Sequence, residues 1–334
     1  MNENILAETA KRLTNAPRGI IAADESSNTC NTRFEKLGIA TTEENRRTYR
    51  ELLITTPGIE QYVSGFILYD ETIRQKNIEG KNFTDILKEK GLDIGIKVDA
   101  GLKDLPEHPG EKFTDGLDGL DERLKEYKNM GATFAKWRAV YSISDITPSE
   151  LCMKVNAEIL TKYALLCQAN DIVPIIEPEV LFEGEHTLER CYEVTKRNLE
   201  ILFAELGDKK VFLPGLILKT SMVLPGKDAK VGVKNIDIAQ MTVKCLKERV
   251  PPEIGGIVFL SGGQSEENST VNLNLAHQKM GPLPWNLTFS YSRAIQNPVL
   301  KYWAENPTDI SGAQKLLLIA AKNNSLASVG KYEG

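Results

Sequence analysis

Val211-Phe212-Leu213-Pro214-Gly215-Leu216-Ile217-Leu218-Lys219-Thr220-Ser221-Met222 carries apolar residues on both sides of one lysine, with no acid adjacent in sequence. A continuous apolar run of strand length, as opposed to an alternating one, reads as a strand buried on both faces, as in a parallel sheet. Lysine is almost never fully buried unless it is paired or working. Shielded from water and set near other cations, an ammonium group gives up its proton more readily, and the neutral amine can attack a carbonyl. The plainer reading of Lys219 is a strand-end lysine whose charged tip reaches solvent or an acid. The neighbouring stretches decide between the two.

Outward from this stretch, short apolar runs alternate with amphipathic segments. The strand candidates are Gly19–Asp24, Gly65–Asp70, Ile94–Asp99, Thr133–Arg138, Val173–Glu177, Gly215–Lys219, Ile257–Ser261 and Leu287–Ser290. Helix signals lie between them. Thr147-Pro148-Ser149-Glu150 combines an N-cap, a first-turn proline and a capping-box glutamate, and Thr41-x-x-Glu44 repeats the box. Gly91, Gly131 and Gly207 are placed to close helices before strands. From His186 onward, Leu188, Cys191, Thr195, Leu199, Leu202, Phe203 and Leu206 mark one helical face. Residues 100–115, rich in proline, glycine and charge, read as a surface loop, and Ser311–Ala327 as a final helix. Eight β-then-α units imply an α/β protein built as a single (β/α)₈ TIM barrel, one domain over residues 1–334. The competing open, doubly wound sheet lacks its G-x-G-x-x-G after the first strand.

Composition narrows the function. Lys+Arg 41 against Asp+Glu 46 leaves a net charge of −5 with no basic block, which argues against nucleic acid and anionic membranes as partners. No apolar run approaches membrane-span length, and Met1–Leu6 lacks the features of a signal peptide. Five scattered cysteines without a C-x-x-C pair fit reduced thiols and a cytoplasmic protein. His108, His186 and His277 stand alone, without metal-ligand spacing, so neither a metal nor another cofactor is expected.

Active-site groups of such a barrel come from the C-terminal ends of its strands. The first strand ends in Asp24-Glu25-Ser26, the third in Lys97-Val98-Asp99, the fourth in Lys136-Trp137-Arg138, the fifth in Glu177-Pro178-Glu179 and the sixth in Lys219. Residues two apart on a strand share a face, so Glu177 projects with Glu179 and Lys136 with Arg138. One ion pair would be structural, but so many charges gathered at one mouth would be costly to desolvate without a function. The seventh strand runs into Ser261-Gly262-Gly263-Gln264-Ser265, opening a helix, and the eighth supplies Ser290-Tyr291-Ser292-Arg293. A glycine turn, a helix start and an arginine after strands seven and eight suit a phosphate. Arg33, Arg46 and Lys97 are candidates for a second anionic group.

These motifs, together with Ala22-Ala23-Asp24-Glu25-Ser26, Glu43-Glu44-Asn45-Arg46-Arg47, Gly95–Asp99, Phe134–Arg138, Glu177-Pro178-Glu179, Leu218-Lys219 and Leu260–Ser265, closely resemble class I fructose-bisphosphate aldolase over nearly the whole chain. The resemblance implies a metal-independent barrel enzyme, a homotetramer in most members. Such enzymes cleave fructose 1,6-bisphosphate reversibly into dihydroxyacetone phosphate and glyceraldehyde 3-phosphate. It implies that Lys219 forms the Schiff base, that Glu177 drives carbinolamine dehydration with support from Glu179, and that Lys136 assists proton transfer and stabilises charge. Asp24 would accept the C4-hydroxyl proton. Ser261, Gly262 and Arg293 would bind the C1 phosphate, and Ser26, Thr29, Arg33 and Lys97 the far one, with Arg138, Gly263 and Ser290 completing the substrate set. Another Schiff-base aldolase for a related sugar phosphate, or a binding protein that keeps the fold without the chemistry, are the competing readings. The presence of Lys219 and Glu177 speaks against the second. Three departures stand out. Thr29 replaces a serine found in many members. Ser292 occupies a glycine position, where its side chain is expected to crowd the oxyanion. Finally, Gly330-Lys331-Tyr332-Glu333-Gly334 stands in place of a longer tyrosine-ended tail. Proton exchange at the enamine carbon is then expected to fall to Glu179, Lys136 or an ordered water.

Overall fold

The computed structural model describes residues 1–230 and 232–334. Eight parallel strands close into a barrel: β1 (Gly19–Ala23), β2 (Val63–Leu68), β3 (Asp93–Lys97), β4 (Ala132–Tyr141), β5 (Val173–Val180), β6 (Ile217–Thr220), β7 (Gly256–Phe259) and β8 (Leu287–Tyr291). They follow one another around the barrel in chain order, and β8 pairs back onto β1 through Ile20 opposite Ser290. Every expected strand is present and starts within two residues of its expected position. Gly215 is left out of β6 because Pro214 lacks the N–H a ladder needs, and Leu213–Gly215 forms a 3₁₀ turn instead.

The lumen follows the two-residue period of the strands. Ile20, Ala22, Ile67, Phe134, Val173, Ile175, Ile217 and Val258 fill its lower half. Gly95 sits beside the Phe134 ring, where a Cβ would collide with it, so one large side chain occupies the space of two. Below them the first helix, Glu3–Thr14, presses Leu6, Ala10 and Leu13 against the barrel floor. That helix is not among the expected elements, where Met1–Leu6 counts only against a signal peptide. Outside the barrel, the helices bury the other strand face. The helix Leu188–Asp208 does so with Leu188, Cys191, Thr195, Leu199, Leu202 and Leu206, as its periodicity predicts, while Phe203 of the expected face is only half-buried.

Several local expectations shift. Residues 100–115 are not a plain loop, because Gly101–Asp104 and Lys112–Asp115 pair as an antiparallel hairpin over the mouth side of β4. Thr114 anchors it, buried and donating to the Arg138 carbonyl at 2.7 Å. Ser149, not Thr147, caps the helix Glu150–Ala169, and Thr42, not Thr41, caps Glu43–Thr55. Gly91 and Gly131 do follow helices with positive φ, but Gly207 lies inside one and Lys210 takes the left-handed position. The final helix spans Ile310–Ala327.

Candidate active site

Strand register assembles the floor of the mouth. Ile175 pairs with Ile217, so two residues on Glu177 stands level with Lys219, and on the other side Arg138 pairs with Glu177. Lys219 Nζ lies 3.2 Å from Glu177 Oε1, and Lys136 Nζ lies 3.4 Å from Glu177 Oε2 and 2.7 Å from Asp24 Oδ2. The four form one row of alternating charge, and Lys219 is only 3% exposed. Glu177 Oε2 is buried without a hydrogen-bond partner, which leaves a lone pair for a reacting group.

Charge balance sets the protonation states. Burial alone would push Asp24 up, but Lys136 and Lys219 outweigh it and hold the carboxyl at about 2. Burial likewise pushes Glu177 up, and the facing Lys219, Lys136 and Arg138 bring it below the ordinary carboxylate range. For Lys136 burial acts downward, yet Asp24, Glu177 and Asp99 raise it above the ordinary lysine range. At neutral pH, Asp24 and Glu177 are therefore bases and Lys136 is a cation. Glu179, one strand repeat above Glu177, accepts a short bond from Arg138 Nε.

At one end of the mouth, Ser261-Gly262-Gly263 leads to Ser265, the N-cap of Glu266–Lys279. A Cβ on Gly262 would lie 3.0 Å from Arg293 Nη2 and 3.1 Å from Glu179 Oε1, so glycine leaves room there for a ligand oxygen. Ser261 Oγ accepts from the Ala294 amide at 3.4 Å, joining this turn to the start of the helix Arg293–Glu305. Two helix N-termini and a guanidinium thus converge on one spot. Ser292 does not crowd it. Its hydroxyl turns away and donates to Glu25 Oε1 at 2.5 Å.

At the other end, Ser26 caps the helix Ser27–Glu35 and lies 3.0 Å from the Thr29 hydroxyl. Arg33 is held by Glu25 and donates to Asn297 Oδ1 at 3.2 Å. Lys97 pairs with Asp99 at 2.7 Å. Arg46 is not part of this group. It makes a two-pronged pair with Glu71 at 2.8 and 2.7 Å and bonds Asn31, away from the cavity lining. By sequence Arg46 is a candidate for the second anionic group, but the satisfied guanidinium fork supports a structural clamp. Gly263 also stays off the lining, and its φ of 80° serves the turn.

The remaining predicted residues (Asp24, Ser26, Thr29, Arg33, Lys97, Lys136, Arg138, Glu177, Glu179, Lys219, Ser261, Gly262, Ser290 and Arg293) line one cavity of about 630 Å³. Its lining carries seven Lys or Arg and five Asp or Glu, a net +2 that favours an anionic ligand. Glu25, Lys36, Phe182 and Ser292 also line it, and the sequence reading gave none of them a ligand role. Glu25 is the hub of a buried network, gripping Arg50 at 2.8 Å as well as Arg33, Ser292 and Gln296. Only the helices' approach in space brings those partners together. Lys36, three residues after Arg33, had a visible signal in helix spacing. Among the described residues, no three His, Cys, Asp or Glu side chains are grouped as a metal would require, and no helix is long and apolar enough to cross a membrane.

The family model "Glycolytic: Fructose-bisphosphate aldolase class-I" matches residues 5–334. A probable fructose-bisphosphate aldolase class 1 of Xanthomonas campestris pv. campestris is 50% identical over 330 residues, 98% of each chain. The cytosolic fructose-bisphosphate aldolase 4 of Arabidopsis thaliana is 50% identical over 95% of this chain and 81% of its own. Among solved structures, fructose-bisphosphate aldolase from Plasmodium falciparum superposes with a TM-score of 0.97 at 45% identity, covering 99% of this chain and 96% of the other. The chain belongs to the class I fructose-bisphosphate aldolases, carbon–carbon lyases that work without a metal through a lysine Schiff base.

Proposed function

We propose that this chain cleaves fructose 1,6-bisphosphate through an imine on Lys219, with Glu177 as the proton carrier beside it. The observation that carries the assignment is the 3.2 Å contact between Lys219 Nζ and Glu177 Oε1 in a buried floor. A Glu177 carboxylate takes the ammonium proton, and the freed amine attacks the C2 carbonyl of the ketose. The resulting Glu177 acid then protonates the carbinolamine hydroxyl as water leaves. The protonated imine draws electrons from C3, and Asp24 takes the C4-hydroxyl proton as the C3–C4 bond breaks. Lys136, held cationic between Asp24 and Glu177, steadies the charges on both. Glu179 keeps Arg138 in place above them. Reduction of the enzyme with borohydride in the presence of dihydroxyacetone phosphate tests the assignment. The added mass should map to Lys219, and mapping to Lys136 or Lys97 would overturn it.

The C1 phosphate is assigned to Ser261, Gly262, Ser290 and Arg293, and the far phosphate to Ser26, Thr29, Arg33 and Lys97. Arg293→Ala should raise the KM for the bisphosphate about 10- to 100-fold, the range of a lost hydrogen bond to a charged group, with a smaller change in kcat. An unchanged KM removes Arg293 from the phosphate site.

Proton exchange at the enamine carbon is assigned to groups of the pocket, with Glu179, Lys136 and water as candidates. Asn274 brackets the Tyr332 backbone, accepting from its amide at 3.1 Å and donating to its carbonyl at 3.0 Å. Asn274 is eight residues into the helix that starts at Glu266, about 12 Å below the mouth at the α-helical rise. Deleting Tyr332–Gly334 should therefore change solvent exchange of the dihydroxyacetone phosphate proton, followed by NMR in D₂O, no more than about threefold, well short of a lost general acid or base. A hundredfold loss, in protein of equal thermal stability, would place Tyr332 in the chemistry. Catalysis by the whole chain as one domain, in a cytoplasmic homotetramer, completes the proposal, and the five free, buried cysteines support a reducing compartment.

A further inference from the structure

Just beyond Glu179, the chain leaves β5 through Leu181 and Phe182. The Phe182 ring lies 6.0 Å from the Arg293 guanidinium carbon. It also covers the glycine turn: a Cβ on Gly263 would come within 2.8 Å of Phe182 Cγ and 3.0 Å of Leu224 Cδ1. The segment is strapped in place, since the Lys227 amide donates to the Phe182 carbonyl at 2.8 Å, Asp228 to Gly184 at 3.0 Å and Gly226 to His186 at 2.8 Å. The loops after β5 and β6 therefore hold one aromatic face over the arginine and the turn at once.

We infer that Phe182 is a positioning residue: its ring backs the Arg293 guanidinium and packs against the Gly262–Gly263 turn. An arginine side chain has many rotamers, and a phosphate ligand must immobilise it in one of them. A ring face restricts that choice in advance and attracts the cation most when the site is dry. At 6.0 Å the contact is at the outer reach of such attraction. Its effect therefore grows as a bound phosphate excludes water, and it belongs to ligand affinity more than to the bond-breaking step. Gly263 is the counterpart of this arrangement, because a side chain there would displace the ring.

The inference rests on Arg293 being the C1-phosphate arginine, so the test separates the two. KM for fructose 1,6-bisphosphate, kcat, and the inhibition constant of inorganic phosphate are measured for Phe182→Leu and Phe182→Tyr, each with Arg293 and with Arg293→Ala. Phe182→Leu should raise KM and the phosphate inhibition constant about fivefold while kcat stays within about twofold, as a cation–π contact at the outer reach of the attraction predicts. Phe182→Tyr keeps the ring face and should stay within about twofold of the parent. With Arg293→Ala, Phe182→Leu should have no further effect. If Arg293→Ala weakens phosphate binding but Phe182→Leu does not, the role of Phe182 is refuted and that of Arg293 stands. If Phe182→Leu acts equally with and without Arg293, the ring only packs the loop, and the inference falls. If Arg293→Ala itself leaves phosphate binding unchanged, both assignments fall together.

Discussion

Lys219→Ala should abolish bisphosphate cleavage, lowering kcat/KM by at least about 10⁵-fold, because the covalent route carries most of an enzymatic acceleration of about 10⁶ or more. The loss cannot be compensated locally. Lys136 shares Glu177 with Lys219, but Asp24 at 2.7 Å and Glu177 at 3.4 Å hold it as an ammonium, which cannot attack a carbonyl. Borohydride trapping with dihydroxyacetone phosphate should disappear in the same variant. Removing a buried cation also leaves Glu177 facing only Lys136 and Arg138, so its carboxyl should protonate at a higher pH. Single-turnover rates and mass mapping together decide the outcome. Residual activity within about a hundredfold of the parent would mean that acid–base catalysis alone sustains cleavage.

Asp24→Asn separates bond cleavage from imine formation. Loss of the base for the C4 hydroxyl should reduce the cleavage rate about 10²- to 10⁴-fold. Lys219 and Glu177 keep their 3.2 Å contact, so dihydroxyacetone phosphate should still be trapped on Lys219. Cleavage within about tenfold of the parent, or loss of trapping, would displace Asp24 from this step. The same residue has a signature in stability. Its carboxyl is held at about 2, below the ordinary aspartate value of 3.8, so the unfolded chain binds the proton more tightly than the folded one. The stabilisation is complete above pH 4 and is lost as pH falls toward 2. It amounts to about 2 kcal/mol, taking 1.36 kcal/mol per pKa unit. Melting temperatures of parent and Asp24→Asn should therefore converge toward pH 2 and differ by a constant amount above pH 4.

Strand placement and the barrel were legible because they depend on periodicity along the chain. An apolar run such as Leu216–Leu218 declares burial on both faces, and a two-residue repeat places Lys136 with Arg138 and Glu177 with Glu179 on one side. Strand ends in a parallel barrel all open on one mouth, so the catalytic candidates followed from position alone. Cap identity was less secure, because Thr147 and Ser149, or Thr41 and Thr42, carry similar oxygen acceptors and only the path of the backbone selects one. The helix Glu3–Thr14 became meaningful only with a barrel floor to bury Leu6 and Leu13.

The sequence by itself determined which residues stand at the strand ends and which acids and amines they bring there. Tertiary structure alone decided which charge meets which. Arg33 and Arg46 are equivalent along the chain, yet one faces the cavity held by Glu25 and the other is consumed by Glu71. Ser292 points its hydroxyl at Glu25 and away from the glycine turn, and Phe182 lands beside Arg293, 111 positions later in sequence. Electrostatic and packing energies depend on separations of a few ångströms between distant segments, and those separations exist only once the barrel has closed.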